Sequence, residues 1–192
     1  MPPTSASTPL RLGTRGSRLA LWQAHWVRDA LAALPGAPPV EIIRIETAGD
    51  RIQNVALSTV GGRDFFTKDI ESALLNGSVD FAVHSLKDLA TLQPEGLGLG
   101  AVMKRADPRD AVVLRQEETL DALLEGATIG TSSLRRKAFL GALYPHVRAK
   151  ELSGNVPTRL ARLDDGLYDG VLLASAGLDR LGLGTRITAR LD

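Results

Sequence analysis

Residues 128–180 read TIGTSSLRRKAFLGALYPHVRAKELSGNVPTRLARLDDGLYDGVLLASAGLDR, and the fold is predicted from this stretch. Short apolar runs alternate here with segments whose apolar residues recur every three or four positions, a pattern typical of strands and helices. The predicted elements are strands at 128–130, 147–152 and 170–174 and helices at 133–144, 156–163 and 176–181. Strands that alternate with helices form mainly parallel sheets with helices on both faces, so the stretch predicts an α/β fold.

The same alternation extends towards the beginning of the chain. Strands are predicted at 10–14, 40–47, 79–83, 96–103 and 111–114, and helices at 18–34, 66–76 and 120–124. Ser17 is the predicted cap of the first helix. The apolar spacing predicts one buried face for that helix, formed by Leu19, Trp22, Trp26, Ala30, Leu31 and Leu34.

A charged, proline-containing segment at 104–109 interrupts the apolar pattern, and we place a domain boundary there. The predicted organisation is a disordered leader at 1–9, one α/β domain at 10–103 and a second at 104–192. The leader has neither the cationic start nor the apolar centre of a secretory signal. We therefore expect a cytoplasmic protein.

Composition excludes several classes of protein. The 192 residues include 23 Lys+Arg and 22 Asp+Glu, a net charge of +1, which argues against a general nucleic-acid binder. No run approaches the roughly 18 apolar residues of a membrane span. The chain contains no cysteine, which excludes disulfides and thiolate metal sites, and its three histidines lie far apart in sequence. We therefore expect no metal site.

Arginines follow three of the predicted strands, where helices begin. The three junctions are 13–18, 130–137 and 154–159. A helix start has a positive dipole end, so a cation there is unfavourable unless an anion binds beside it. Because such junctions lie at the carboxyl ends of strands, where ligand crevices form, they predict a cleft for a polyanion. The alternative is that these arginines simply face water.

A second candidate site follows the predicted strand at 79–83, where the chain reads His84-Ser85-Leu86-Lys87-Asp88. This pattern puts Asp88 at the tip of a strand, on the same crevice, and we expect its carboxylate to stay ionised among the cations. There it would stabilise positive charge on a substrate or transfer a proton. The alternative is a surface Lys-Asp pair, with His84 packing or capping.

The sequence predicts no nucleotide site. The turn at 61–66 lacks the GxxxxGK[ST] pattern of a nucleotide phosphate loop, and no GxGxxG motif follows the first strand. The segment 107–110 is interpreted as a structural turn between the domains, without a catalytic role.

Several motifs, in order from about residue 10 to 186, resemble one enzyme family. They are TRGSRLALWQA at 14–24, DFAVHSLKD at 80–88, RADPRDA at 105–111, GTSSLRR at 130–136, GNV at 154–156, TRL at 158–160 and LASAGLDRL at 173–181. Together they resemble hydroxymethylbilane synthase, also called porphobilinogen deaminase.

The resemblance implies two domains like those of type II periplasmic binding proteins, followed by a small third domain. It implies a transferase of tetrapyrrole, porphyrin and heme biosynthesis that condenses porphobilinogen units on a dipyrromethane cofactor and releases ammonia. By motif position, Asp88 corresponds to the catalytic aspartate. The implied cofactor-binding residues are Lys87, Ser133, Arg135 and Arg136, and the implied substrate-binding residues are Arg15, Ser17, Arg159 and Arg180.

The sequence also departs from that family. The family's third domain carries the cysteine that anchors dipyrromethane, whereas this sequence ends at Asp192 and has no cysteine. Ser153 stands where the family has arginine, and Asp64 adds a negative charge near the expected cleft. Three interpretations remain open: a hydroxymethylbilane synthase without its third domain, a short non-catalytic relative that binds a carboxylated pyrrole or another small anion, and an unrelated solute-binding module.

Overall fold

The computed structural model describes residues 8–51, 67–116 and 119–191. The described residues form two compact units, the first from 8–51 and 67–102 and the second from 103 onwards. Residues 1–7 of the predicted leader and the turn at 61–66 lie outside the described residues.

The first unit is built on a parallel sheet. Its strands are β1 (Leu10–Thr14), β2 (Val40–Arg44) and β3 (Phe81–Ala82), its helices are α1 (Arg18–Ala32), α2 (Ala48–Arg51) and α3 (Lys68–Leu75), and a 3-10 turn covers Leu86–Asp88. The strand order is β2-β1-β3, and both neighbours run parallel to β1. The sheet thus has the parallel pairing that alternating strands and helices predict.

Helix α1 begins where the sequence predicts, because the Ser17 hydroxyl accepts a hydrogen bond from the Ala20 N–H at 3.3 Å. The predicted buried face of α1 is only partly correct: Leu19, Ala30 and Leu31 are half-buried, whereas Trp22, Trp26 and Leu34 are exposed. Ala24 is the fully buried residue of the helix. Two positions along a helix correspond to about 200° of rotation. Packing on the small Ala24 therefore places both indoles on the solvent side.

Two further predictions are wrong. Residues 96–103 form no strand, and the side chains of Leu99, Val102 and Met103 are exposed. Residues 120–124 form turns instead of a helix, although Leu120 and Leu123 are buried in the core. The apolar pattern at 120–124 correctly marks the burial of Leu120 and Leu123 but not Leu124, which is exposed. A segment this short cannot distinguish a helix turn from other turns.

The second unit contains a mixed five-stranded sheet. Its strands are β4 (Asp110–Leu114), β5 (Thr128–Gly130), β6 (Arg148–Lys150), β7 (Gly170–Ala174) and β8 (Ala189–Leu191), its helices are α4 (Leu134–Leu143), α5 (Val156–Asp164) and α6 (Ser175–Arg180), and Gly184–Arg186 is a 3-10 turn. The strand order is β6-β5-β7-β4-β8. Strand β5 runs parallel to β6 and β7, whereas β4 is antiparallel to β7 and β8.

The core of the second unit lies on both faces of this sheet. Ala111 and Val113 of β4 belong to one buried cluster with Leu163 of α5, and Val112 belongs to the other with Leu140 of α4. Alternate residues of a strand point to opposite faces, so β4 anchors helices on both sides. This packing fixes where α4, α5 and α6 begin relative to the strands.

Within the part of the chain that the structure describes, no helix is both long and apolar enough to cross a membrane.

Candidate functional site

A pocket in the first unit contains three of the predicted site residues. Strands β1 and β3 are adjacent and parallel, so the segments that leave their carboxyl ends lie side by side. These segments and the first turns of α1 line the pocket with Arg15, Ser17, Leu19, Ala20, Gln23, Val83, His84, Ser85 and Asp88. The structure thus brings together Arg15, Ser17 and Asp88, which are 73 or fewer positions apart in sequence.

The turn that carries Asp88 is bound to α1. The Asp88 N–H donates to the carbonyl oxygen of Ser85 at 2.9 Å, which closes the 3-10 turn. The Ser85 hydroxyl donates to Oε1 of Gln23 at 3.0 Å. The predicted site residues include neither Gln23 nor Ser85. The amide of Gln23 could have indicated this contact, because a polar group on a half-buried helix face needs a hydrogen-bond partner.

Three charged or titratable residues line this pocket: Arg15, His84 and Asp88. Burial lowers the pKa of His84, and the Arg15 charge lowers it further, while the carboxylates of Asp88 and Glu71 oppose the shift. Burial therefore favours the neutral form of the imidazole, and the pocket is also lined by one basic residue, Arg15, and one acidic residue, Asp88. Lys87 lies on the same 3-10 turn, is exposed, and does not line the pocket.

The other predicted site residues lie in the second unit. Strands β6, β5 and β7 are adjacent and parallel, so α4, α5 and α6 begin along one edge of the sheet. Ser133 caps α4 by accepting the Arg136 N–H at 3.4 Å, and Nε of Arg159 donates to the Gly154 carbonyl oxygen at 2.6 Å. Arg180 lies in the last turn of α6 and not at the start of that helix.

The cations of α4 have acidic partners elsewhere in the second unit, one on β4 and one directly after β6. Asp110, the first residue of β4, receives Nη2 of Arg135 at 2.7 Å and Nη2 of Arg136 at 2.9 Å. Nζ of Lys137 lies 2.7 Å from the carboxylate of Glu151. The sequence shows no acid near these cations on the helix, and the structure supplies both acids from elsewhere in the chain.

The two arginines of this cluster differ in burial. The side chain of Arg135 is 69% exposed, whereas that of Arg136 is only 10% exposed. The interpretation that these arginines simply face water is therefore wrong for Arg136. Burial acts to raise the pKa of Asp110, but the hydrogen bonds and charges of Arg136 and Arg135 outweigh it, and the pKa lies below its usual value.

Asp110 is the contact that sequence reasoning missed, because it treated 107–110 as a structural turn. The signal was present: one carboxylate opens the apolar run Ala111–Leu114, which is almost wholly buried. A carboxylate at the end of a buried strand requires a cation or several hydrogen bonds.

In the described part of the chain, no three histidine or acidic side chains gather as metal ligands.

Solved structures with a similar fold define the class. A periplasmic substrate-binding protein of an ABC transporter from Coxiella burnetii matches with a TM-score of 0.57 and 16% identity, over 95% of this chain and 79% of that one. The methionine-binding protein MetQ matches with a TM-score of 0.57 and 15% identity, over 95% and 78%. The fold is that of type II periplasmic binding proteins, as the resemblance implied.

Sequence comparison gives the family. The protein-family model described as "Porphobilinogen deaminase, dipyromethane cofactor binding domain" matches residues 10–192. Porphobilinogen deaminases from Burkholderia pseudomallei (strain 668) and Burkholderia orbicola (strain MC0-3) are each 52% identical over 99% of this chain. The chain belongs to the porphobilinogen deaminase family, which confirms the resemblance of the motifs. It spans 58% of the length of these relatives.

Proposed function

We propose that this chain provides the pyrrole-binding and catalytic groups of a hydroxymethylbilane synthase. This transferase of porphyrin and heme biosynthesis condenses porphobilinogen, with loss of ammonia, into a linear tetrapyrrole in the cytoplasm. The observation that carries the proposal is the pocket in which Arg15, Ser17 and Asp88 meet at the carboxyl ends of adjacent parallel strands. That place in the fold is where ligands of open α/β sheets bind.

Porphobilinogen has two carboxylate groups, acetate and propionate, and an aminomethyl group on its pyrrole ring. A guanidinium forms paired hydrogen bonds with a carboxylate, so Arg15 is the proposed partner for one acid group of the pyrrole in the pocket. Ser17 accepts the Ala20 N–H and keeps its hydroxyl proton for the same carboxylate. Arg159 and Arg180 of the second unit are proposed as further carboxylate contacts.

Asp88 is the proposed catalytic residue. Departure of ammonia from the aminomethyl carbon leaves positive charge on the pyrrole, and a carboxylate beside the ring stabilises that charge. The same carboxylate accepts a proton as the new carbon–carbon bond forms and the pyrrole regains its aromaticity. The hydrogen bonds from Asp88 through Ser85 to Gln23 hold the turn in place, so the charge does not have to be reoriented during the reaction.

A dipyrromethane group would supply the pyrrole to which the first substrate unit is joined. The donor set fits its carboxylates: Arg135 is largely exposed beside the cap residue Ser133, and Lys87 is exposed on the turn of Asp88. We propose that Lys87 of the first unit and Ser133, Arg135 and Arg136 of the second unit each bind a carboxylate of such a group. The covalent anchor does not fit this chain, because the sequence has no cysteine to form a thioether.

The proposal is tested by calorimetry with porphobilinogen and by an assay for released ammonia, both on this chain. Arg15→Gln removes the cation of the pocket and should weaken porphobilinogen binding by about tenfold or more, since a charged hydrogen-bond pair is lost. Asp88→Asn keeps the shape of the side chain and should leave binding within a few-fold while nearly abolishing ammonia release. Asp29→Asn removes an exposed partner of Arg28 on α1 and serves as the matched control.

Unchanged binding in Arg15→Gln, or ammonia release at the wild-type rate in Asp88→Asn, would contradict the proposal. Binding without any ammonia release by the wild-type chain would instead support a non-catalytic relative that binds a carboxylated pyrrole.

A further inference from the structure

His84 lines the pocket of the first unit, and the mechanism proposed above gives it no role. It lies two residues after β3 and directly before Ser85, which opens the 3-10 turn that carries Asp88. The residue is half-buried, and its ring has no hydrogen-bond partner among the residues that the structure describes. Because a half-buried polar group needs such a partner, the ring nitrogens are available to a ligand in the pocket.

The polar side chains of the pocket divide into donors and acceptors according to the segment that carries them. The segment after β1 supplies Arg15, which only donates hydrogen bonds, and Ser17, whose hydroxyl oxygen already accepts a backbone N–H. The segment after β3 supplies His84 and Asp88. A carboxylate accepts hydrogen bonds, and a neutral imidazole accepts one on its unprotonated nitrogen. The pocket therefore has a donor side (Arg15 and Ser17) and an acceptor side (His84 and Asp88).

The other two polar side chains of the pocket satisfy each other. The Ser85 hydroxyl donates to Oε1 of Gln23 at 3.0 Å, so the donor of one residue occupies the acceptor of the other. Among the described side chains that line the pocket, His84 and Asp88 thus keep acceptor atoms for a ligand.

The surroundings of His84 favour the form of the ring that has an acceptor. Burial is the largest cause that lowers its pKa, and the charge of Arg15 lowers it as well. Asp88 on the 3-10 turn and Glu71 on α3 act in the opposite direction, but the pKa stays below its ordinary value. The neutral imidazole carries a lone pair on one nitrogen, whereas the imidazolium has only N–H donors.

We propose that His84 is a specificity-determining residue whose unprotonated ring nitrogen accepts a hydrogen bond from the aminomethyl group of the bound pyrrole. The inference rests on the proposed function and assigns a further contact in the same pocket. A primary amine is protonated at neutral pH and offers three N–H donors. Asp88 supplies the opposite charge and His84 a second, neutral acceptor, while Arg15 binds an acid group. A pyrrole that carries both an amine and acids satisfies both sides of the pocket.

The opposite role for His84 is a positively charged ring that binds a carboxylate of the ligand. The two roles differ in the sign of the pH dependence. Protonation removes the acceptor of His84 and places a positive charge beside the ammonium group, so the proposed contact weakens porphobilinogen binding as the pH falls. An imidazolium that binds a carboxylate would strengthen the binding over the same range.

The test compares two ligands by calorimetry on the full chain. One is porphobilinogen, and the other is a pyrrole with the same acetate and propionate groups but hydrogen in place of the aminomethyl group. His84→Phe keeps a planar ring without an acceptor, and it should bind porphobilinogen about tenfold more weakly, since a hydrogen bond to a charged group is lost. Its affinity for the pyrrole without an amine should stay within about twofold of the wild-type value.

Two further variants serve as controls. His84→Gln restores an acceptor oxygen and should keep more of the preference for porphobilinogen than His84→Phe. His25→Phe makes the same substitution at an exposed position of α1 that does not line the pocket, and it should bind both ligands as the wild-type chain does.

A second readout is the pH titration of the histidine signals by proton NMR. The chain has three histidines, so the signal of His84 can be assigned by its absence in His84→Gln, with His25 and His146 as internal references. A ligand that binds the neutral ring must, by linkage, lower the pKa of that ring. Porphobilinogen should therefore lower the pKa of His84, and the pyrrole without an amine should not. The titration uses the wild-type chain, so it decides the question even if His84→Phe does not fold.

An equal loss of affinity for both ligands in His84→Phe would overturn the inference and leave the proposed function intact. Tighter porphobilinogen binding at lower pH, or a His84 pKa that rises when porphobilinogen binds, would do the same. Absence of binding of either ligand to the wild-type chain would overturn the proposed function, and the inference with it.

Discussion

Replacing Gly130 by alanine tests how closely the end of β5 packs against Leu152 and Tyr168. Gly130 ends β5, directly before the segment that carries Ser133 and Arg135. A Cβ atom at this position would lie 2.6 Å from Cδ2 of Leu152 and 3.0 Å from Cδ1 of Tyr168. Because both neighbours are buried, neither can move aside without disturbing the core.

The expected cost of Gly130→Ala is about 1–3 kcal/mol in the free energy of unfolding, the usual range for an overpacked core. For a chain of this size the melting temperature falls about 2–4 °C per kcal/mol. Gly141→Ala is the matched control: Gly141 lies inside α4, and its added Cβ would meet nothing within 4 Å. That substitution should stabilise the second unit by about 0.5–1 kcal/mol, since glycine weakens a helix interior.

The assay uses the distribution of aromatic residues between the units. Both tyrosines, Tyr144 and Tyr168, belong to the second unit, and both tryptophans, Trp22 and Trp26, belong to the first. Thermal unfolding followed by tyrosine near-ultraviolet circular dichroism should therefore shift in opposite directions for the two variants, while the tryptophan signal changes little. Equal shifts for both variants, or a fall confined to the tryptophan transition, would refute the packing argument.

Two further predictions concern charge and covalent attachment. Hydrogen bonds from the Arg11 side chain and N–H lower the pKa of Asp80 from 3.8 to about 2, so this pair stabilises the first unit above about pH 4 and its contribution is lost as the pH falls towards 2. Urea unfolding followed by tryptophan emission measures this loss of stability between about pH 6 and about pH 3. The loss should be smaller for Asp80→Asn than for the wild-type chain. An equal loss in both would count against the pair. After incubation with porphobilinogen, intact mass should match the bare polypeptide and Ehrlich reagent should give no colour, because no cysteine can form the thioether, and a covalent adduct would show this reasoning to be wrong.

Much of the fold follows from local patterns. Ser17 and Asn155 cap α1 and α5 as their residue types favour, and Gly77 adopts a left-handed conformation with φ +72° at the end of α3. Such signals depend on a few adjacent residues, so one sequence is enough to reveal them. The parallel pairing of β5 with β6 and β7 follows from the same alternation of strands and helices.

Other features depend on contacts between distant residues. The spacing of Trp22 and Trp26 is compatible with a buried helix face, but the small Ala24 decides which side packs on the sheet. Likewise, Asp110 lies 25 residues before Arg135, and only the pairing of β4 with β7 brings its carboxylate to α4. Periodicity identifies an amphipathic element, and the tertiary packing decides which surface it buries.

The arrangement of the candidate site can be predicted only in part from the sequence. Arg15 and Asp88 follow strands that the sequence predicts, so their proximity at the sheet edge could be expected. The division between an exposed Arg135 and a buried Arg136 could not, because two adjacent helix positions differ by only about 100° and either could face the sheet.

One of the two edge strands of the five-stranded sheet, β6, has a consequence for how this protein behaves at high concentration. Strand β6 consists of three exposed residues, and two of them, Arg148 and Lys150, are cationic. An unpaired edge strand can pair with a strand of another polypeptide. A short edge strand that carries charges of one sign repels the same strand of a second copy. Cations thus have two opposite uses in this chain: the arginines of the candidate site are proposed to attract a ligand, whereas Arg148 and Lys150 disfavour the pairing of β6 with a second copy.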